Sequence, residues 1–256
     1  MRIKPRWWIG VVVFLAYAAW VMAAWIRRDV DYRQIASEAN LVAAVIQPLA
    51  IAAAALAIFL AWAGWWRATL FETPRVRRPV LLAMLLLAML GFIAATLWSV
   101  DYSVIPLRHL GLIATATLLI GFCEEMVSRG IVLVSLRGSL RSEAWAWFCS
   151  SALFGLLHAT NAFFGVGALA LLQVLLAFCV GTGLYLLRRL GGTLLLPMLV
   201  HAAWDFSTLT SDLDQVDTGA AAFVMMAVTY VLSLVLVFVV LHGERAQGGS
   251  KALRDS

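Results

Sequence analysis

The sequence predicts an all-α integral membrane protein, a bundle of about eight transmembrane helices. Composition is the first observation: 63% of the 256 residues are hydrophobic and only 13% are charged. Soluble domains carry roughly 25% charged residues, so a large-cored soluble protein is excluded. The second is length: apolar runs able to cross ~30 Å of hydrocarbon recur along the whole chain. The third is the distribution of Lys and Arg, which gather in alternate connecting segments.

The first run, 7–26, follows Arg2, Lys4 and Arg6 and so has the opening of a signal peptide. At about 20 residues it is too long for a signal-peptide core, and Arg27-Arg28 follows at once; it reads as a retained first span. Further runs read as 41–66, 80–100, 110–136, 143–161, 165–187, 192–211 and 220–241. They divide the chain into three parts. Residues 1–109 hold three spans without a motif, 110–241 a five-span core, and 242–256 a polar tail expected to be disordered.

Orientation follows from the positive charges. Three Lys or Arg lie at the N-terminus, four in 67–79, two in 137–142, two in 188–191 and three in the tail, together 14 of the 19. The intervening segments share four, and Arg129 sits inside a span. The positive-inside rule therefore places both termini in the cytoplasm, with the acidic stretch Ser211-Asp-Leu-Asp-Gln-Val-Asp217 outside. The net charge of +5 is explained by this orientation, because the basic residues form no patch suited to nucleic acid.

Several features read as packing. Cys123, Cys149 and Cys179 are isolated in apolar runs, without a CxxC, and read as small buried hydrophobes. The 11 Trp residues suit interfacial belts and packing. Gly181, Gly183, Gly191 and Gly192 suit close helix approach or a turn.

The polar groups inside the spans are different, because an intramembrane charge costs roughly 2.5–3.5 kcal/mol on insertion scales and usually marks a function. Glu124, Glu125 and Arg129 lie in the fourth run, His158 with Asn161 in the fifth, and His201 with Asp205 in the seventh. Glu125 and Arg129 are i,i+4 with the acid first, the favourable order for an ion pair. Glu124 points about 100° away on a helix. It is therefore the reactive carboxylate, and Glu125–Arg129 is scaffold. His201 and Asp205, also i,i+4, share one helix face. Asn161 is expected to cap or crosslink helices beside the site.

Glutamate, two histidines and an aspartate offer hydrolysis by an activated water. A carboxylate among apolar side chains can act as general base, and histidines can move its proton or hold an oxyanion. Alternatively, Glu124, His158 and His201 could ligate a catalytic Zn²⁺ with water in the fourth place. There is no HExxH, no GxSxG, and only one intraspan Asp where a paired-aspartate protease needs two.

In order and spacing these residues resemble the CPBP family, the type II CAAX prenyl endoproteases and bacteriocin-processing enzymes also known as the Abi group. Its EExxxR motif followed by Gly is matched by Glu124-Glu125-Met-Val-Ser-Arg129-Gly130. Its FxxxH is matched by Phe154-Gly-Leu-Leu-His158, and its HxxxN or HxxxD by His201-Ala-Ala-Trp-Asp205. The resemblance covers about 120–206. It implies an intramembrane endopeptidase, of glutamic or metallo type, in which Glu124 and His158 activate water while His201 and Asp205 serve the oxyanion side. Asp205 departs from the commoner Asn, and an ionised Asp there would repel an oxyanion. The implied partners are the lipid bilayer and a membrane-associated peptide or protein. The expected location is a bacterial cytoplasmic membrane.

Two other readings compete. A proton-coupled transporter or channel could use the Glu/His/Asp set as a relay, and would carry inverted repeats and broken helices; neither is visible in the sequence. An inactive relative acting in bacteriocin immunity or protein sorting is the other. The residues leave open the substrate, the side on which the site opens, and the oligomeric state.

Overall fold

The computed structural model describes residues 1–72, 79–214 and 219–252, with side chains described as far as His242. Eight main helices run in chain order: α1 (Trp7–Arg28), α2 (Glu38–Ala63), α3 (Pro79–Trp98), α4 (Leu107–Arg137), α5 (Glu143–Leu157), α6 (Leu169–Gly191), α7 (Leu195–Asp214) and α8 (Ala220–Ala252). Among the described residues the only strand-like pairing is an isolated bridge between Phe71 and Thr193. The protein is an all-α membrane protein.

Six of these helices are long and apolar enough to cross a membrane. The two that are not are α5 and α7, where the sequence predicted full spans. α5 stops after 15 residues, about 22 Å at 1.5 Å per residue, and continues as a 3₁₀ turn over His158–Phe163. α7 has 20 residues but includes Asp205, Asp212, Asp214 and several Ser and Thr. These are the helices that bring His158, His201 and Asp205. The last helix, α8, runs from Ala220 to Ala252. Glu, Arg, Ala and Gln at 244–247 are all competent helix formers. Arg75, Arg77, Arg78, Asp217 and Arg254, which entered the charge count, lie outside the described residues.

The helices are apolar on all sides, so composition alone does not separate core from lipid face. Leu41, Leu60, Leu82, Leu85, Met89 and Ile113 are wholly buried, while Val80, Leu87, Leu107, Leu171 and Phe238 are exposed. Polar groups give the bundle its specificity. Trp20 and Trp25 indoles of α1 donate to the Pro48 and Ala44 carbonyls of α2, at 2.9 and 3.0 Å. Gly121 lets α7 approach α4, since a Cβ there would lie 2.6 Å from the Met198 carbonyl oxygen.

Hydrogen bonds sort the connections into two ends. At one, Arg2 N donates to Ala63 O (2.9 Å), Trp7 N to Ser139 Oγ (2.8 Å) and Glu72 N to Gly192 O (3.0 Å). At the other, Tyr32 N donates to Phe164 O (2.8 Å), Asp101 N to the Asp214 carboxylate (2.8 Å), and Arg108 pairs with Glu38 (3.1 Å). Successive connections therefore alternate between ends. The first end gathers the N-terminus and the segments around 63–72, 137–143 and 188–194, which are the Arg-rich ones.

Candidate active site

α4 carries the carboxylates and changes geometry just beyond them. Residues Met126–Val132 form a π-helical turn between α-helical stretches, a feature that often accompanies functional sites. The wider turn turns carbonyls away from the helical ladder, and other helices supply donors for them. Ser150 Oγ of α5 donates to Ser128 O at 2.9 Å, and the Arg188 guanidinium of α6 donates to Arg129 O.

Glu125 is wholly buried and is the meeting point of the site's scaffold. Its Oε1 accepts Arg129 Nη1 at 2.7 Å and lies 3.0 Å from His201 Nδ1. The ion pair expected from i,i+4 spacing is present, and the same oxygen also orients a histidine of α7. The other nitrogen of that ring, Nε2, is 3.5 Å from Asp205 Oδ2. His201 is thus held between two carboxylates.

Phe154 of α5 is the shared wall. The Arg129 guanidinium lies over its ring at 3.9 Å, and its edge contacts involve His158 (5.2 Å between centroids) and His201 (5.6 Å). Stacking on an aromatic face offsets part of the cost of burying a guanidinium. Gly181 of α6 leaves space for this stack: a Cβ there would meet Arg129 Nη2 at 2.6 Å and the Phe154 ring at 2.8 Å. His158 sits where α5 gives way to the 3₁₀ turn, with Nδ1 3.1 Å from Phe154 O. A carbonyl oxygen only accepts, so Nδ1 carries a proton and, in the neutral ring, Nε2 is the base.

Glu124, His158, His201, Asp205 and Asn161 line one cavity of about 320 Å³. Glu124 takes no part in the Arg129 pair, and its buried Oε2 has no hydrogen-bond partner among the described residues. The site residues named from the sequence therefore come together from three helices, with Glu125 and Arg129 behind them. Asn161 crosslinks as expected: its Nδ2 donates to Gln173 Oε1 at 2.9 Å, and Gln173 in turn contacts Tyr32 Oη at 3.3 Å.

Gln173, Tyr32 and Tyr17 also line the cavity and were not singled out from the sequence. Gln173 carried a signal, as the one amide in Leu169-Ala-Leu-Leu-Gln173-Val-Leu-Leu. Tyr17 carried none, being one aromatic among many in an apolar span. The first hundred residues, featureless in motif, form one side of the cavity through α1 and the start of α2.

Among the described residues no three His, Cys, Asp or Glu side chains are arranged to hold a metal ion. Both His201 nitrogens face carboxylates, Nδ1 toward Glu125 and Nε2 toward Asp205.

Fold and site define a multi-pass, all-α membrane protein with a buried Glu/His/Asp centre. Residues 105–207 match the model of the type II CAAX prenyl endopeptidase Rce1-like family. Over that region the chain is similar to the CPBP/CAAX proteases, the family that its Glu-Glu, Phe-His and His-Asp motifs resemble. No curated protein and no solved structure gives a match.

Proposed function

We propose that the protein is an intramembrane endopeptidase that hydrolyses a peptide bond with a water activated by Glu124 and His158. The family supports the class of activity; the observation that carries the mechanism is the division of labour between adjacent glutamates. Glu125 is committed through Oε1 to Arg129 and His201, while Glu124, and not Glu125, lines the cavity.

Glu124 accepts a proton from water, whose oxygen attacks the scissile carbonyl carbon. His158 Nε2, the ring nitrogen not engaged by Phe154 O, shares that proton and passes one to the departing amine as the C–N bond breaks. His201, fixed at Nδ1 by Glu125, directs Nε2 into the cavity and stabilises the oxyanion as an N–H donor. Such donors are typically worth 10²–10³ in rate. Asp205, whose Oδ2 lies 3.5 Å from Nε2, orients that edge of the ring. No step needs a metal.

Comparative membrane proteomics tests this. A strain lacking the protein is complemented with the wild-type chain or with Glu124→Gln. Uncleaved substrate accumulating in both the deletion and the Glu124→Gln strain supports the proposal. Equal processing by Glu124→Gln and wild type sinks it. Retained activity after exhaustive chelation is the expected result for the purified enzyme.

A further inference from the structure

We propose that the cavity takes its substrate from the extracytoplasmic side, so that the polypeptides it cleaves are exported ones held at the membrane. This rests on the protease reading above for the word substrate, though not for the direction of access.

The direction comes from where the cavity lies between the two ends. From Glu124 and His201 its lining continues through Asp205 and Thr208 of α7, Thr160 beyond α5, and Tyr32 beyond α1. Each of these residues lies toward the end where Tyr32 N bonds Phe164 O and Asp101 N bonds Asp214. The lining includes no residue of the Arg-rich end. Solvent reach follows the same gradient: the Asp205 side chain is 26% exposed, whereas those of Glu125 and Arg129 are at 0%.

The opposite end is closed by packed charge. Glu72 pairs with Arg137 (2.9 Å), Arg188 (3.0 Å) and Arg189 (3.2 Å), and Arg137 and Arg189 also reach Glu143. Glu72, Arg188 and Arg189 are buried. Backbone bonds tie the segment bearing Glu72 across the end of α6, with Glu72 N on Gly192 O and Leu194 N on Leu70 O. The Arg129–Phe154 stack adds to this closure, so among the described residues the packing shuts Glu124 off from that side. The closed end carries most of the Lys and Arg, which the positive-inside rule assigns to the cytoplasm. The end toward which the cavity extends carries Asp29, Asp31, Glu38, Asp101, Asp212 and Asp214. Peptide and water therefore reach Glu124 from outside.

Cysteine accessibility tests this without reference to activity. In full-length protein with Cys123, Cys149 and Cys179 replaced by Ala, three reporters are made singly: Ser103→Cys at the acidic end, Thr160→Cys in the cavity and Ser139→Cys at the Arg-rich end. Intact cells are treated with a membrane-impermeant thiol reagent before and after permeabilisation. The expected result is labelling of Ser103→Cys and Thr160→Cys in intact cells, and of Ser139→Cys only after permeabilisation. Thr160→Cys that labels only after permeabilisation, or not at all, overturns the proposal. So does labelling of Ser139→Cys in intact cells with Ser103→Cys protected. Loss of the protease reading, through a Glu124→Gln variant that still cleaves, would leave these patterns unchanged, so the two failures are distinguishable.

Discussion

Glu125 and His201 are joined across the α4–α7 interface by a 3.0 Å contact between Oε1 and Nδ1, on the oxygen that also accepts Arg129 Nη1 at 2.7 Å. One carboxylate oxygen therefore neutralises a buried guanidinium and aims a histidine into the cavity.

These two duties separate by mutation. Glu125→Ala leaves Arg129 buried without its carboxylate, a loss of about 3–5 kcal/mol for a broken buried pair. The expected outcome is low yield of folded protein and a large fall in thermal stability in detergent. Glu125→Ala combined with Arg129→Met removes both charges and is expected to recover most of the stability. Cleavage is not expected to recover, because His201 still lacks its orienting partner. A double variant with wild-type cleavage would mean that the His201 contact is incidental.

His158 and Glu124 call for a different signature, loss of chemistry with stability intact. Glu124→Gln preserves shape and removes the base, and His158→Gln removes the second proton carrier. Each is expected to lower kcat by about 10²–10⁴, the usual worth of a positioned acid or base. The melting temperature should stay within a few degrees of wild type. A kcat unchanged in either variant would remove that residue from the mechanism.

Phe154 tests how far one aromatic ring organises the site. It carries the Arg129 guanidinium at 3.9 Å and borders both histidines. Phe154→Leu keeps much of the apolar volume but loses the ring face, costing up to about 2 kcal/mol of desolvated cation–π attraction. Reduced stability together with reduced kcat is expected; Phe154→Tyr, if it packs, should preserve both. A Phe154→Leu enzyme with wild-type kcat would confine the ring to packing.

The legibility of the site in the sequence had a physical basis. Carboxylates and histidines are so costly within apolar spans that their presence alone drew attention to Glu124, Glu125, His158, His201 and Asp205. The i,i+4 rule then paired Glu125 with Arg129 from spacing alone. What spacing along one helix could not reveal was contact between helices, so the His201–Glu125 bond and the place of Gly181 beneath Arg129 emerged only in three dimensions. The spans were legible as hydropathy, but the truncation of α5 was not. Leu157 and His158 continue a pattern that looks helical, and nothing in the run of residues marks the change to a 3₁₀ turn at His158.

Asp205 is where this chain departs from the pattern of the family it resembles. Its Oδ2 lies 3.5 Å from His201 Nε2, beside the place proposed for the oxyanion. Asp205→Asn supplies an amide that can donate to a developing negative charge and removes a carboxylate that would repel it. The expectation is activity equal to or above wild type, whereas Asp205→Leu, with no polar atom, should lose at least tenfold in kcat. A severe loss in Asp205→Asn would overturn this and show that the negative charge itself is needed.

At the closed end, Glu72 lies between α2 and α3, outside the spans. Burial pushes its carboxyl up, but Arg137, Arg188 and Arg189 act against this, and the balance holds Glu72 below the usual carboxylate range. A carboxylate depressed in the folded state adds stability that is fully present above its unfolded value, about 4.3. That stability is lost as pH falls through the lower folded value. Thermal unfolding in detergent between pH 7 and pH 3 should therefore show a decline below about pH 4–5 to which Glu72 contributes. Glu72→Gln is expected to melt lower at pH 7, since Arg188 stays buried without its carboxylate, and to decline less steeply on acidification. Parallel pH profiles for the two proteins would mean that Glu72 is not the group being titrated. Because the cluster closes one end of the cavity, Glu72→Gln should also admit thiol reagents to the Arg-rich face of the bundle, which a purely local electrostatic role would not do.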